Sequence, residues 1–248
     1  MVTKLSDTNK AATRTESQGR SKVAMPRGTM FLALLAIVGI ADFLLNLTVL
    51  HFLRPDVNPV LEPVSNYVVG PYGFLVTAAD IGSSFAALTL MFGLYLGIAP
   101  PGRSYVGLFL LGVYSVSELL AGFFPIDVGG EATMVGTIHN IVGNISFFGF
   151  PIAAILLSLG MGRDERWRSF QRPTLALSFA VVSTVILTIV GSNIGLFGLT
   201  QRLANFTVLL WILLVGLRLR SVAQGDLARQ ASRVRQPSEG LFTEVPRR

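Results

Sequence analysis

Hydrophobic and polar positions along the chain sort into long blocks, not into the short alternations of a soluble helix or strand. From residue 29 onward, six mostly apolar stretches are separated by short polar segments, at about 29–53, 72–99, 105–124, 135–159, 174–195 and 197–217. Each is long enough, at about 1.5 Å per residue, to cross a hydrocarbon core about 30 Å thick as a helix. Pro173 before the fifth stretch and Pro125 after the third stand where helix ends tolerate proline. Pro151, inside the fourth, predicts a kink. The pattern therefore predicts an all-α polytopic membrane protein, a bundle of six transmembrane helices.

The flanks differ in kind. Residues 1–27 are rich in Ser, Thr, Lys, Arg and Gln, and bury too little apolar surface to offset the entropy of ordering. The expected organisation is a disordered basic tail over 1–28, the six-helix domain over 29–217 and a second basic tail over 218–248. The first apolar run is about twice the length of a signal-peptide core and reads as a signal anchor.

Composition fits this picture: 51% of residues are hydrophobic and 14% charged, with mean hydropathy +0.60. There is no cysteine, which excludes disulfides, thiolate metal sites and thiol catalysis. The net charge of +6 could suggest a nucleic-acid partner, so its distribution matters. Eighteen Lys and Arg fall in the segments on one side of the predicted spans, and Arg54 stands alone on the other. Basic residues mark the cytoplasmic side, so the expectation is a multi-pass protein of the cell membrane with both termini cytoplasmic. Sorted this way, the formal charge is +11 inside, −2 within the spans and −3 outside. Anionic inner-leaflet lipid accounts for the basic excess; membrane lipids are the expected partners, and nucleic acid is not.

Only Asp42, Asp80, Glu118 and Arg202 of the charged residues fall inside the spans. Charge at membrane depth is costly and marks functional positions. Counting helical rise, Asp42 lies about 16 Å from the outer end of the first span, Asp80 about 12 Å, Glu118 about 9 Å and His139 about 6 Å from theirs. These groups concentrate in the outer half. Residues three or four apart share a helix face. Asp80 thus joins Ser83, Ser84 and Ala87, Glu118 joins Tyr114, Ser115 and Gly122, and His139 joins Gly136, Asn140 and Gly143. The predicted feature is an outward-facing polar pocket lined from helices 1 to 4.

The first outer loop, from His51 to Gly73, contains four prolines and ends in Gly70-Pro71-Tyr72-Gly73, and reads as a folded cap over the bundle. His51, the Glu62-Pro63-Val64-Ser65-Asn66-Tyr67 stretch with Gly70 and Gly73, the Phe124-Pro125-x-Asp127 turn and the Gly136-x-x-His139 helix start resemble motifs of one family. It is the six-helix bacterial membrane proteins called domain of unknown function 998, and the resemblance covers about residues 30–218. It implies the six-helix topology and a site at these motifs, and supplies no assigned reaction. A fainter similarity, in Ser65-Asn66-Tyr67 and in His139 with Gly143, reaches the eukaryotic autophagy modulators and GPI-anchor remodelling factors.

The candidate pocket residues are His51, Glu62, Ser65, Tyr67, Asp80, Glu118, Asp127 and His139. Several chemistries are open to them. The site could bind a lipid or small ligand with no cofactor. His51 and His139, the only histidines, could join Asp127, Glu118 or Asp80 around a metal, although no close-spaced His motif backs this. Ser65, His139 and Asp127 could form a hydrolase triad acting on a lipid-linked substrate. Asp42, Asp80 and Glu118 could exchange protons in a coupled transporter, with Arg202 pairing one of the acids. A scaffold or sensor is the remaining class, with Arg229, Arg233 and Arg235 laid on the anionic inner surface.

Overall fold

The structure is a computed structural model and describes residues 28–235, with side chains to residue 232. Of the tails expected over 1–28 and 218–248, residues 1–27 and 236–248 lie outside the described residues. Six α-helices follow one another: α1 (Gly28–Leu53), α2 (Phe74–Gly97), α3 (Tyr105–Phe123), α4 (Met134–Met161), α5 (Arg168–Asn193) and α6 (Phe197–Arg235). All six are long and apolar enough to cross a membrane, and no strand occurs among the described residues. Short 3-10 turns at Val64–Val68 and Pro100–Gly102 interrupt two of the connections.

Local sequence explains two of the helix starts. Ser104 accepts the Gly107 N–H at the start of α3, and Thr133 accepts that of Gly136 at the start of α4, each satisfying a first-turn donor that has no partner within the helix. Two boundaries differ from the sequence expectation. α5 begins at Arg168, so Pro173 lies inside it. Pro173, its sixth residue, has no N–H to donate to the Ser169 carbonyl, so one bond of the second turn is missing. α6 does not stop at 217 but runs on to Arg235. Leu219, Val222 and Ala223 stay buried, so packing carries the helix past the apolar run, and the region expected as a second tail opens as helix.

The helices form a ring in chain order, α1 to α6 and back to α1, with α2 also touching α6 across it. Without a hydrophobic drive between helices in lipid, close approach depends on small residues and interhelical hydrogen bonds. Gly39 of α1 faces Gly82 of α2 so closely that a Cβ on Gly39 would sit 2.5 Å from the Gly82 carbonyl oxygen. Between α5 and α6, Thr184 and Thr207 hydroxyls are 2.8 Å apart. Ser178 Oγ lies 3.2 Å from Ser158 Oγ on α4 and accepts Trp211 Nε1–H at 3.1 Å. Outward-facing Phe31, Val38, Phe109, Phe148, Ile186 and Phe206 are exposed, as lipid contact requires.

The two ends of the ring are built differently. At one, residues 54–73 fold into a cap organised by Arg54, whose guanidinium donates to the carbonyls of Tyr67, Val69 and Pro71 and pairs with Asp56 at 2.7 Å. Asp56 hydrogen bonding raises the Arg54 pKa, and Arg54 in turn holds Asp56 below the usual carboxylate range. The opposite end carries Arg103, Arg163, Arg166, Arg168, Arg172, Arg218 and Arg220. There Arg166 bridges Asp164 (2.8 Å) and Asp226 (2.9 Å) and donates to the Gly97 carbonyl, which also accepts Trp167 Nε1–H. This network ties the end of α2, the α4–α5 turn and α6 together.

Candidate functional site

Inside the ring, toward the cap, lies a cavity of about 100 Å³. Its polar lining is Ser65 from the cap, Asp80 from α2, Tyr114 and Glu118 from α3, His139 and Ser146 from α4, and Gln201 and Asn205 from α6. Phe43, Phe147, Val185, Ala204 and Val208 supply apolar walls. The expectation of a pocket built from helices 1 to 4 is thus too narrow. α1 gives only Phe43, while α5 and α6 close one side.

Helical phase puts Tyr114 and Glu118 on one face of α3, one turn apart. Glu118 accepts a 2.8 Å hydrogen bond from Ser146 Oγ, and the Tyr114 hydroxyl lies 3.0 Å from Ser83 Oγ. Asp80 faces the cavity with no hydrogen-bonding partner among the described residues. Gly122 lets α3 approach it, since a Cβ there would lie 3.1 Å from Asp80 Cβ. The lining holds two carboxyl groups and no Lys or Arg.

His139 is oriented by the turn before it. Its Nδ1 lies 2.7 Å from the Phe124 carbonyl oxygen; a carbonyl only accepts, so Nδ1 carries the proton. In the neutral ring Nε2 is then left as an acceptor. Asp127, proposed as its triad partner, is elsewhere. It accepts Thr133 N–H and Oγ1–H, both at 2.8 Å, which lower its pKa, the backbone N–H most. Gly136 packs directly on that carboxylate, and a Cβ there would collide with it. Asp127 therefore shapes the entry to α4, and the Ser65–His139–Asp127 triad does not form.

Below the cavity an aromatic floor closes the ring. Tyr114 and Phe150 rings meet edge-on at 4.8 Å, and Phe150 and Trp211 at 5.6 Å, with Phe150 and Trp211 fully buried.

The other expected pocket residues lie in the roof. His51 Nδ1–H donates to the Leu47 carbonyl at 2.6 Å, and its Nε2 accepts Arg202 Nε–H at 3.1 Å. Both ring nitrogens are occupied, so His51 cannot join His139 around a metal. No group of three or more His, Cys, Asp or Glu suited to a metal occurs among the described residues. Arg202 pairs with no acid among the described residues, contrary to expectation; its Nη1 donates to the carbonyls of Pro59, Glu62 and Gly198. Tyr67 is fully buried, its ring 5.5 Å from that of His51 and 5.7 Å from Arg202 Cζ. The Glu62 carboxylate accepts Asn58 N–H and Asn66 Nδ2–H. Asp42 lies outside the cavity, against Gly82 with Asn46 Nδ2 3.1 Å away.

Of the eight expected residues, Ser65, Asp80, Glu118 and His139 line one cavity, Glu62, Tyr67 and His51 hold the roof, and Asp127 holds Thr133, the cap residue of α4. Sequence reasoning missed Gln201, whose Oε1 accepts Val64 N–H at 2.8 Å and pins the cap to α6, and Asn205. Their i, i+4 spacing, seen as one inward face of α6, was the available signal.

A family described as "Protein of unknown function (DUF998)" matches residues 36–218. No curated protein and no solved structure matches the chain.

Proposed function

Because the chain belongs to DUF998, a family of unknown function, no reaction comes with the fold, and we propose from the site itself that the cavity binds a protonated amine, the head group of a lipid or a small free amine. The observation that carries this reading is the pair of carboxyl groups, Asp80 and Glu118, facing one cavity whose lining has no basic residue. A carboxylate at membrane depth is costly, and a cation entering between the two offsets that cost. Phe43, Tyr114 and Phe147 offer aromatic faces of the kind that attract ammonium groups. His139 Nε2 and Ser65 add acceptors for N–H donors. The aromatic floor argues for a bound ligand over a continuous pathway through the ring.

We place the cap outside and the basic end in the cytoplasm. The clustering of arginines at the end opposite the cap supports this orientation.

Thermal unfolding of the purified protein tests the ligand class. A ligand at 100 times its Kd adds about 2.7 kcal/mol, which at this size raises Tm by about 5–10 °C. Ethanolamine should produce such a rise and glycerol none, with Asp80→Asn and Glu118→Gln abolishing it. A shift with phosphatidylethanolamine nanodiscs over phosphatidylglycerol ones, without one from free ethanolamine, identifies the lipid as the source. Equal shifts with amine and neutral probes, or none with any, would refute the reading.

A further inference from the structure

The roof over the cavity is tied to α6 by Gln201 on Val64 N–H, by Leu199 N–H on the Val60 carbonyl and by Arg202, and the last of these is oriented by one imidazole. Arg202 holds the cap through Nη1, which donates to the Pro59 and Glu62 carbonyls. Its Nε–H is fixed on His51 Nε2 at 3.1 Å. Because Nδ1 of the same ring already donates to Leu47, this bond exists only while Nε2 is bare. Val64 and Ser65, two and three residues past Glu62, line the cavity, so the fastening and the roof are one short segment.

We propose that His51 is a proton-operated latch: when its imidazole takes up a proton from acidic solution on the cap side, the bond to Arg202 is lost and the cap lifts from the cavity. The added proton sits on Nε2 and faces an N–H of a guanidinium, so an attraction becomes a repulsion between two cations. Among the described residues no carboxylate pairs with the ring. From the cap, His51 meets the uncharged Tyr67 ring. The Glu62 carboxylate is turned onto Asn58 and Asn66, and Asp56 is held by Arg54. From α6 it takes its hydrogen bond from the cation Arg202. The closed roof also leaves Tyr67 Oη and Arg202 Nη2 buried without partners, and lifting it lets water reach both. The latch presumes the orientation above and regulates the cavity read above as an amine site.

The test exploits a chain without cysteine. Ser65→Cys reports access to the cavity, and Glu131→Cys, in an exposed loop, is the reference for reagent chemistry. The ratio of their labelling rates with a membrane-impermeant thiosulfonate is followed from pH 7.5 to pH 5. With His51 present the ratio should rise about tenfold on acidification. In His51→Gln, whose amide can donate to Leu47 and accept from Arg202 without titrating, it should change less than about twofold. A flat ratio with His51, or the same rise in both, overturns the latch. Should His51→Gln fail to fold, the His139→Gln form leaves His51 as the only histidine. Its imidazole ¹⁵N titration must then share its midpoint with the labelling transition, and midpoints more than about one pH unit apart overturn the proposal. Labelling needs no amine, so the latch and the ligand class stand or fall separately.

Discussion

Replacing Arg166 with alanine removes the cation shared by Asp164 and Asp226 at the basic end. The Asp164 side chain is 4% exposed and that of Asp226 12%, while Arg166 is 21% exposed. Breaking a buried pair from one side costs about 3–5 kcal/mol, because the remaining charge is left uncompensated. Asp164 would keep hydrogen bonds from the N–H groups of Ala99 (2.8 Å) and residue 166 (3.0 Å), which places the loss near the lower end, about 3 kcal/mol. For a domain of this size that is a fall in Tm of about 6–12 °C. Asp226→Asn should cost only about 1 kcal/mol, since Arg166 retains Asp164 and the lost pair is partly hydrated. Adding Asp164→Asn to Arg166→Ala should recover part of the loss, because no bare carboxylate remains. Thermal unfolding in detergent of the single and double variants, read by tryptophan fluorescence, measures all of these. Arg166→Ala melting within 2 °C of the parent, or a double variant worse than Arg166→Ala alone, would refute the assignment of this network as a buried charge lock.

Acid should weaken the same lock. Burial pushes Asp164 up, but Arg166 and the Ala99 N–H outweigh it and hold its pKa below the ordinary value. Its contribution is therefore complete above an unfolded value of about 3.9 and lost as pH falls through the lower folded one. Tm should drop below about pH 4, and Asp164→Asn should flatten that part of the curve. Gly136→Ala should unseat the Asp127 carboxylate packed on it and loosen the start of α4, seen as faster proteolysis within 124–133. Arg54→Lys keeps the charge but cannot span three carbonyls and Asp56 at once, so the 54–73 cap should be nicked several-fold faster; an unchanged digestion rate would show that the prolines alone hold it.

Much of this architecture is legible in the residues, for physical reasons that also explain the failures. Six spans follow from the cost of unpaired backbone in lipid, but the true length of α6 does not. Beyond Leu217 it is held by Leu219, Val222 and Ala223 packing on neighbours, amid arginines that read as a tail. Phase on α2, α3 and α4 brought Asp80, Glu118 and His139 to one face each, since each side chain projects from a single regular helix. The roof was opaque because its fastenings are backbone carbonyls, which carry no residue identity: Arg202 read as a charge seeking an acid, and Arg54 only as the lone basic residue of its side. His51 looked like a possible metal ligand until both its nitrogens were seen to be occupied.

α6 has a consequence for how the two faces of the membrane communicate. It runs 39 residues without a break, about 58 Å at helical rise, and so overreaches the hydrocarbon core at the basic end. Near one end it carries Arg202, on which the roof hangs, and farther along Asp226, held by Arg166. A helix resists compression and stretching, so it acts as a push-rod between the two. Any axial shift of α6 that eases the roof must also work against the Arg166 anchorage, so the stiffness of the joint at the basic end sets how freely the roof moves.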